Sequence, residues 1–208
     1  MAFTTDSLMP FLGQLRSAAH CYVAYSGGLD SHVLLHTTVA LMGGERVSAI
    51  HINHQLSENS DKWQQHCVEQ CAGLGVSLIV ENVEVKSDGQ GVENAAREAR
   101  YKVFERQLNH GDLLLMGHHA DDQVETVLYR LIRGSGVRGL AGIPRQRPLA
   151  MGTLLRPLLD FRRSELEGYA RAENLRWIED ESNFIVDFDR NYIRHQVVPA
   201  LRERWQDY

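Results

Sequence analysis

Four times within the first 133 residues, a short apolar run is followed by a stretch with helical spacing, and that alternation leaves few architectures open. The runs are Cys21–Tyr25, Val47–Ile52, Val76–Val80 and Asp112–Met116, short and largely aliphatic or β-branched, as buried strands are. His32–Leu41 follows the first. Asp61–Leu74 then repeats Trp63, Cys67, Cys71 and Leu74 on one face. Val92–Leu108 carries Val92, Ala95, Ala96, Ala99, Val103 and Leu108 as a stripe, and Asp121–Arg133 repeats Val124, Val127, Leu128, Leu131 and Ile132. Strand–helix repetition of this kind predicts an α/β fold: a doubly wound, mainly parallel sheet covered on both faces by right-handed crossovers.

The texture changes after Arg133. Gly134–Pro148 reads as a loop or linker, Thr153–Leu159 as a further strand and Ser164–Asn174 as a capped helix. Arg190–Leu201 reads as a helix that Pro199 kinks or ends. The expected organisation is a nucleotide-binding domain over 1–150 and a small, mostly helical extension over 151–208.

With 208 residues, 43% hydrophobic and 24% charged, the chain can bury one sizeable core, and disorder or a collagen-like repeat is excluded. No apolar run reaches the roughly 18 residues of a membrane helix. The first cation is Arg16, which does not suit a secretory leader. Cys21, Cys67 and Cys71 match neither a redox pair nor a zinc site, so a reduced, cytoplasmic protein is expected. The net charge is −5, yet Arg130–Arg163 holds eight arginines against one acid. Arginine outnumbers lysine 19 to 3, which favours forked phosphate contacts. This block is either a polyanion surface or a solvated arginine-rich loop.

The sharpest motif is Ser26-Gly27-Gly28-Leu29-Asp30-Ser31, directly after the first strand and opening a helix. Two glycines permit a tight turn and a close ligand approach, while free N–H groups and two hydroxyls attract an anion. Ligands of such sheets bind at the strands' carboxyl ends. Asp30 suits phosphate poorly unless Mg²⁺ stands between them. Walker A is excluded because no lysine follows glycine. Gly134–Gly139 spells GxGxxG but follows a helix, not a strand. Asp187, Asp189 and Asn191 begin like a calcium loop, but Tyr192 and Val198 replace its glycine and closing glutamate.

SGGLDS in this position resembles the PP-loop ATP pyrophosphatases. Glu93–Tyr101 (ENAAREARY), Gly117–Thr126 (GHHADDQVET), Arg133–Gly136, Arg156–Leu159, Asp180–Asn183 and Arg190-Asn191 follow in the order of one member family, the tRNA(Ile)-lysidine synthetases. The resemblance runs from about Cys21 to the end. It implies an enzyme that uses ATP and Mg²⁺ to join L-lysine to the wobble cytidine of isoleucine tRNA. It places ATP at Ser26–Ser31, with His54 on the adenine side, and Mg²⁺ near Asp30 and Asp122. It gives lysine or the chemistry to Asp121, Asp122 and Glu125, a nucleotide or RNA role to Arg97 and Arg100, and the active centre to Arg190. The arginine block, as Arg133, Arg138, Arg145 and Arg147, would meet tRNA phosphates.

Local physics offers plainer accounts beside these. Asp121 and Asp122 can cap a helix start, although Asp121 and Glu125 are like charges at i,i+4 and call for a nearby cation, Mg²⁺ or the substrate's ammonium. Glu93–Arg97 and Glu98–Lys102 are ordinary helix pairs. One of His118 and His119 is expected to pack or hydrogen-bond rather than bind metal. Asn53, Ser57 and Ile185 depart from the family's pattern. Relatives usually continue into C-terminal domains that this chain is expected to lack, and a homodimer stays open. The alternatives are another PP-loop tRNA-modifying enzyme, such as a thiolase, or a nucleotide-binding module without turnover.

Overall fold

A computed structural model describes residues 2–84, 92–181 and 189–205. Its centre is a six-stranded sheet: β1 Cys21–Ala24, β2 Val47–Asn53, β3 Ser77–Asn82, β4 Leu113–Leu115, β5 Gln146–Leu149 and β6 Gly152–Leu155. The order is β3-β2-β1-β4-β6-β5, parallel except for β5, which runs antiparallel to β6 at the edge. The expected mainly parallel, doubly wound sheet is therefore present.

The central strand shows why such runs read as continuously apolar. Leu113 and Leu115 face one core with α2 (Leu29–Met42), α3 (Ser60–Gly73) and α7 (Arg163–Ala172). Leu114 and Met116 face the opposite core, with Val103 and Phe104 of α4 (Val92–Gln107). Alternate residues are thus buried on alternate faces, and none can be polar. Helix α5 spans Ala120–Ile132. Ahead of the sheet, a 3-10 turn over Thr5–Phe11 leads into α1 (Leu12–Ser17), which buries Leu8 and Leu15 in the first core.

Three expectations change. The segment 134–148 is not a simple loop: α6 (Val137–Leu140) and β5 lie within it. Arg130 Nη1 donates to the carbonyls of Gly139 and Gly142 at 3.2 and 2.8 Å, and Gln123 bonds Ile143 through both amide atoms. The boundary expected at residue 150 falls inside the β5–β6 hairpin, so the sheet continues to Leu155 and the helical part begins at Arg163. The last helix is broken into α8 (Asp189–Tyr192), a π turn over Ile193–Val197 and α9 (Val198–Arg204). Pro199 sits in the first turn of α9, where its missing N–H costs nothing, and the wider turn before it absorbs the ring. Ser182, Asn183, Ile185 and Asp187, and the side chains of Glu93 and Arg138, lie outside the described residues.

Candidate nucleotide and transfer site

The strand order reverses between β1 and β4, since β2 and β3 lie to one side of that pair and β6 and β5 to the other. Open α/β sheets bind ligands at this switch, beyond the strands' carboxyl ends. The loop after β1 is Ser26–Ser31, and the loop after β4 is Gly117–His119. They meet at one point: a Cβ added to Gly117 would stand 3.0 Å from the Asp30 carbonyl carbon. Any other residue at 117 would push the two loops apart.

Within the first loop, Ser31 Oγ donates to the Gly28 carbonyl at 2.9 Å and lies 3.1 Å from Ser26 Oγ. The Gly28 N–H donates to Ser26 Oγ at 3.3 Å. Gly27 has φ +82°, and a Cβ there would stand 2.7 Å from Ile178 Cδ1 and 2.8 Å from Cys67 Sγ. The loop is closed from outside by Ile178, whose N–H donates to the Gly27 carbonyl at 2.9 Å. Leu29 packs in the core, so only its backbone is available to a ligand. Helix α2 starts without a side-chain cap, which leaves its first N–H groups to an anion.

Asp30 lies in that first turn. Its Oδ2 is 3.3 Å from Arg163 Nη1 and 3.6 Å from His119 Nε2, while Oδ1 is buried without a hydrogen bond. Burial pushes its carboxyl up, against the pull of His119 and Arg163. Beside it, Asp122 accepts the His119 N–H at 3.0 Å, as a helix-start carboxylate should. Asp30 and Asp122 thus each bring an oxygen to 3.6 Å from His119 Nε2.

The cation that the Asp121–Glu125 spacing demands belongs to the chain itself. Arg194 grips the buried Glu125 in a fork, Nε to Oε1 at 2.6 Å and Nη2 to Oε2 at 3.0 Å. Arg190 bridges Glu125 Oε2 and Asp122 Oδ1, both at 3.0 Å. Asp121 accepts the Arg163 N–H at 2.8 Å and pairs with Arg202. Arg163, Arg194 and Arg202 were not among the residues predicted for the site. A cavity of about 370 Å³, lined by His119, Asp121, Glu125, Arg163, Glu167 and Arg194, opens between α5, α7 and the last helix.

The two histidines both hydrogen-bond or pair, in opposite ways. Burial drives His118 down to about 3, whereas His119 is raised: burial alone would lower it, but Asp121, Asp122 and Asp30 outweigh burial. The charged His119 therefore adds stability that is full below the ordinary histidine value and is lost as pH rises through the raised folded value. Asp121, held low first by the His119 ring 3.5 Å away, works on the acid side, its contribution vanishing as pH falls through its depressed value. The loss of unfolding free energy between about pH 6 and about pH 9 should shrink in His119→Gln, as measured by urea denaturation. An identical loss in variant and wild type would remove the assignment.

The remaining predicted residues divide. His54 follows β2, its Nδ1 buried without a partner and its pKa lowered to about 4 by burial, with Arg100 adding to the effect. Asn53, the departure from the family pattern, builds the turn instead: its Oδ1 accepts the Gln55 N–H at 2.9 Å and its amide donates to Gln64 at 3.1 Å. Arg97 and Arg147 both lie over the Tyr101 ring, at 5.0 and 5.1 Å. Glu98 pairs with Asn94 rather than Lys102. Arg133 Nη1 donates to Tyr129 Oη at 2.6 Å on an exposed face, and Arg145 is paired to Asp160. Arg133, Arg145 and Arg147 thus each lean on a different local partner, Tyr129, Asp160 and Tyr101. A larger groove of about 770 Å³ beside α4 holds none of the predicted site residues.

A glycine-lined loop at the β1–β4 switch and an uncapped helix start with Asp30 in its first turn form the geometry expected of a PP-loop. The profile of the PP-loop domain matches residues 4–201, and the chain belongs to that family, which implies the use of ATP. The chain is 50% identical over 202 residues to a tRNA(Ile)-lysidine synthase of Pseudomonas fluorescens (strain Pf0-1), covering 96% of this chain and 45% of that one. Against the tRNA(Ile)-lysidine synthase of Coxiella burnetii (strain RSA 493 / Nine Mile phase I) it is 42% identical over 208 residues, 99% and 46% of the two chains. The chain spans about half the length of the curated relatives it matches. Among solved structures, the U34-tRNA thiolase NcsA from Methanococcus maripaludis superposes with a TM-score of 0.70 at 15% identity, covering 95% of this chain and 74% of that one. That likeness establishes the fold alone. Among the described residues no helix is long and apolar enough to cross a membrane.

Proposed function

We propose that this chain is the adenylating part of a cytoplasmic tRNA(Ile)-lysidine synthase, joining L-lysine to the wobble cytidine of isoleucine tRNA with release of AMP and pyrophosphate. The carrying observation is the meeting of SGGLDS and GHHADD at the β1–β4 switch, in a chain half identical to synthases of that name. The residues fit ATP: the free N–H groups of α2 suit its phosphates, and the unpartnered His54 Nδ1 suits a donor on the base. For Mg²⁺, which is usually held by one or two carboxylates plus phosphates, the unpartnered Asp30 Oδ1 is the oxygen that fits, and Asp122 would join it by giving up a contact with Arg190 or His119. When bound, that ion would offset charge on the phosphates.

In the first step the cytosine O2 attacks the α-phosphate and the P–O bond to pyrophosphate breaks. The α2 start and Ser26–Ser31 receive the leaving group. In the second, the lysine ε-amine forms the new C–N bond, AMP leaves and the amine loses a proton. Asp121 and Glu125 border the cavity that suits this amine; Asp122 is tied to Glu125 through Arg190, and Arg194 also holds Glu125 in place. Arg97 and Arg100, on α4, fit an RNA or nucleotide role.

ATP–pyrophosphate exchange, measured with and without isoleucine tRNA, tests the reading: tRNA-dependent exchange is expected. No exchange in either case would leave a nucleotide-binding module. If Arg133 and Arg147 meet tRNA phosphates, neutralising both should lower the log–log salt slope of tRNA binding by roughly 0.7–0.9 per lost contact. ATP binding should not change, and an unaltered slope would leave both as surface charge.

A further inference from the structure

His118 follows Gly117 at the carboxyl end of β4, where the two loops of the site meet. Arg156 follows β6, the parallel neighbour of β4, and is only 3% exposed. All three nitrogens of its guanidinium are engaged. Nη1 donates to the Pro144 carbonyl at 2.6 Å, Nη2 to Tyr101 Oη at 3.5 Å and Nε to His118 Nδ1 at 3.2 Å. Tyr101 Oη in turn donates to Met116 Sδ at 3.8 Å, which leaves its oxygen lone pairs for Arg156.

A guanidinium has donors only and keeps its proton at any ordinary pH. The bond from Arg156 Nε can therefore be accepted only by a lone pair on His118 Nδ1. A proton there would set N–H against N–H. We infer that Arg156 is a positioning residue that fixes His118 in the Nε2–H tautomer, so that His118 presents a hydrogen-bond donor, not a base, to an oxygen of the bound substrate. Among the described residues Nε2 has no other partner. The identity of that oxygen, on the α-phosphate or on cytosine C2, rests on the function proposed above; the tautomer does not.

The surroundings agree with the geometry. The charged groups that act on the ring are Asp122 from α5, Arg156 beyond β6, Arg190 from α8 and Arg100 from α4. Asp122, the strongest of them, favours a second proton, but burial and the three cations outweigh it. A neutral ring can then donate to an oxygen gathering charge without first losing anything, which is how preorganised donors lower a barrier. Next to it, His119 faces three carboxylates and takes the opposite state. Adjacent residues of one type are thus divided into a neutral donor and a cation by which side of the β4–α5 turn each one faces.

Nitrogen-15 NMR of the labelled protein reads the tautomer directly, with the His118 signals identified by their loss in His118→Gln. The expected result is an unprotonated, pyridine-like Nδ1 and a protonated Nε2, unchanged between about pH 6 and about pH 8. Arg156→Met should release the ring into a mixture of tautomers. In ATP–pyrophosphate exchange, His118→Leu should lower the rate about 10²-fold with little change in KM for ATP, the loss typical of one removed donor. His118→Gln can accept from Arg156 and donate from the place of Nε2, so it should recover most of that loss. A protonated Nδ1 in the wild type, or a His118→Leu rate equal to wild type, overturns the inference. Should Arg156→Met fail to fold, the wild-type spectrum and the His118 pair still decide it. Absence of exchange in the wild type would sink the adenylation reading, while the nitrogen shifts would still decide the tautomer.

Discussion

Asp30→Asn is expected to cut ATP–pyrophosphate exchange by about 10²–10³-fold, the loss seen when a group aimed at developing charge is removed, while leaving the fold intact. The side chain keeps its shape, so Gly117 and the β1–β4 contact are undisturbed. What disappears is a charge that the protein holds against its own stability. Burial raises the Asp30 carboxyl, and a carboxylate with a raised folded pKa costs stability at neutral pH instead of adding it. Oδ1 finds no partner to repay that cost. Thermal unfolding of the variant should therefore occur at the same temperature as wild type or higher, alongside the lost exchange. Near-normal exchange, or a fall in both measurements together, would return Asp30 to a structural role.

Glu125→Gln should do the reverse, with stability as the main casualty. Glu125 is 2% exposed and carries three of the four hydrogen bonds that Arg190 and Arg194 make to α5. Removing one member of a buried pair typically costs 3–5 kcal/mol; because both arginines keep access to water, the low end, about 3 kcal/mol, is expected. For a chain of this size that is a fall in Tm of about 6–12 °C. Exchange should fall as well, since Arg190 and Arg194 lose the fork that aims them. Urea unfolding gives the free energy, and a change within about 0.5 kcal/mol, the level of an ordinary surface substitution, would contradict the role given to Glu125.

Much of this was legible in the sequence for reasons the structure makes plain. A strand buried on both faces can only be apolar, so Asp112–Met116 announced β4 without any alternation. A Gly-Gly turn flanked by serines announces a tight strand-to-helix turn, which its serines brace from within, and Asp121 and Glu125 repel each other unless a cation is near. The identity of that cation was hidden because it arrives from 65 to 81 residues away. One local sign existed: Arg190 and Arg194 repeat the same i,i+4 spacing with the opposite charge, so each helix is strained alone and satisfied by the other. Strand β5 was missed because Gln146-Arg147-Pro148-Leu149 has no apolar alternation. Pro148 is tolerated there because β5 is an edge strand with one side unpaired. Helix α6 was concealed by the glycines around it, whose loop is fastened by Arg130 and Gln123 from α5, a contact no local pattern reports.

The distance between α5 and its arginines also sets an order of events during synthesis. The chain is made from its amino end at about 5–20 residues per second, and Arg194 lies 69 residues beyond Glu125, so α5 waits about 3–14 s on the ribosome for its counter-charges. Throughout that interval β1 to β4 and then β6 can already assemble, with Glu125 a lone carboxylate at the rim of a nearly finished sheet. An acid in that position resists burial until Arg190 and Arg194 emerge. The transfer centre therefore closes only when almost the whole of this stretch has been translated, and a nascent chain stalled between α7 and α8 would carry the phosphate loop without the arginine fork.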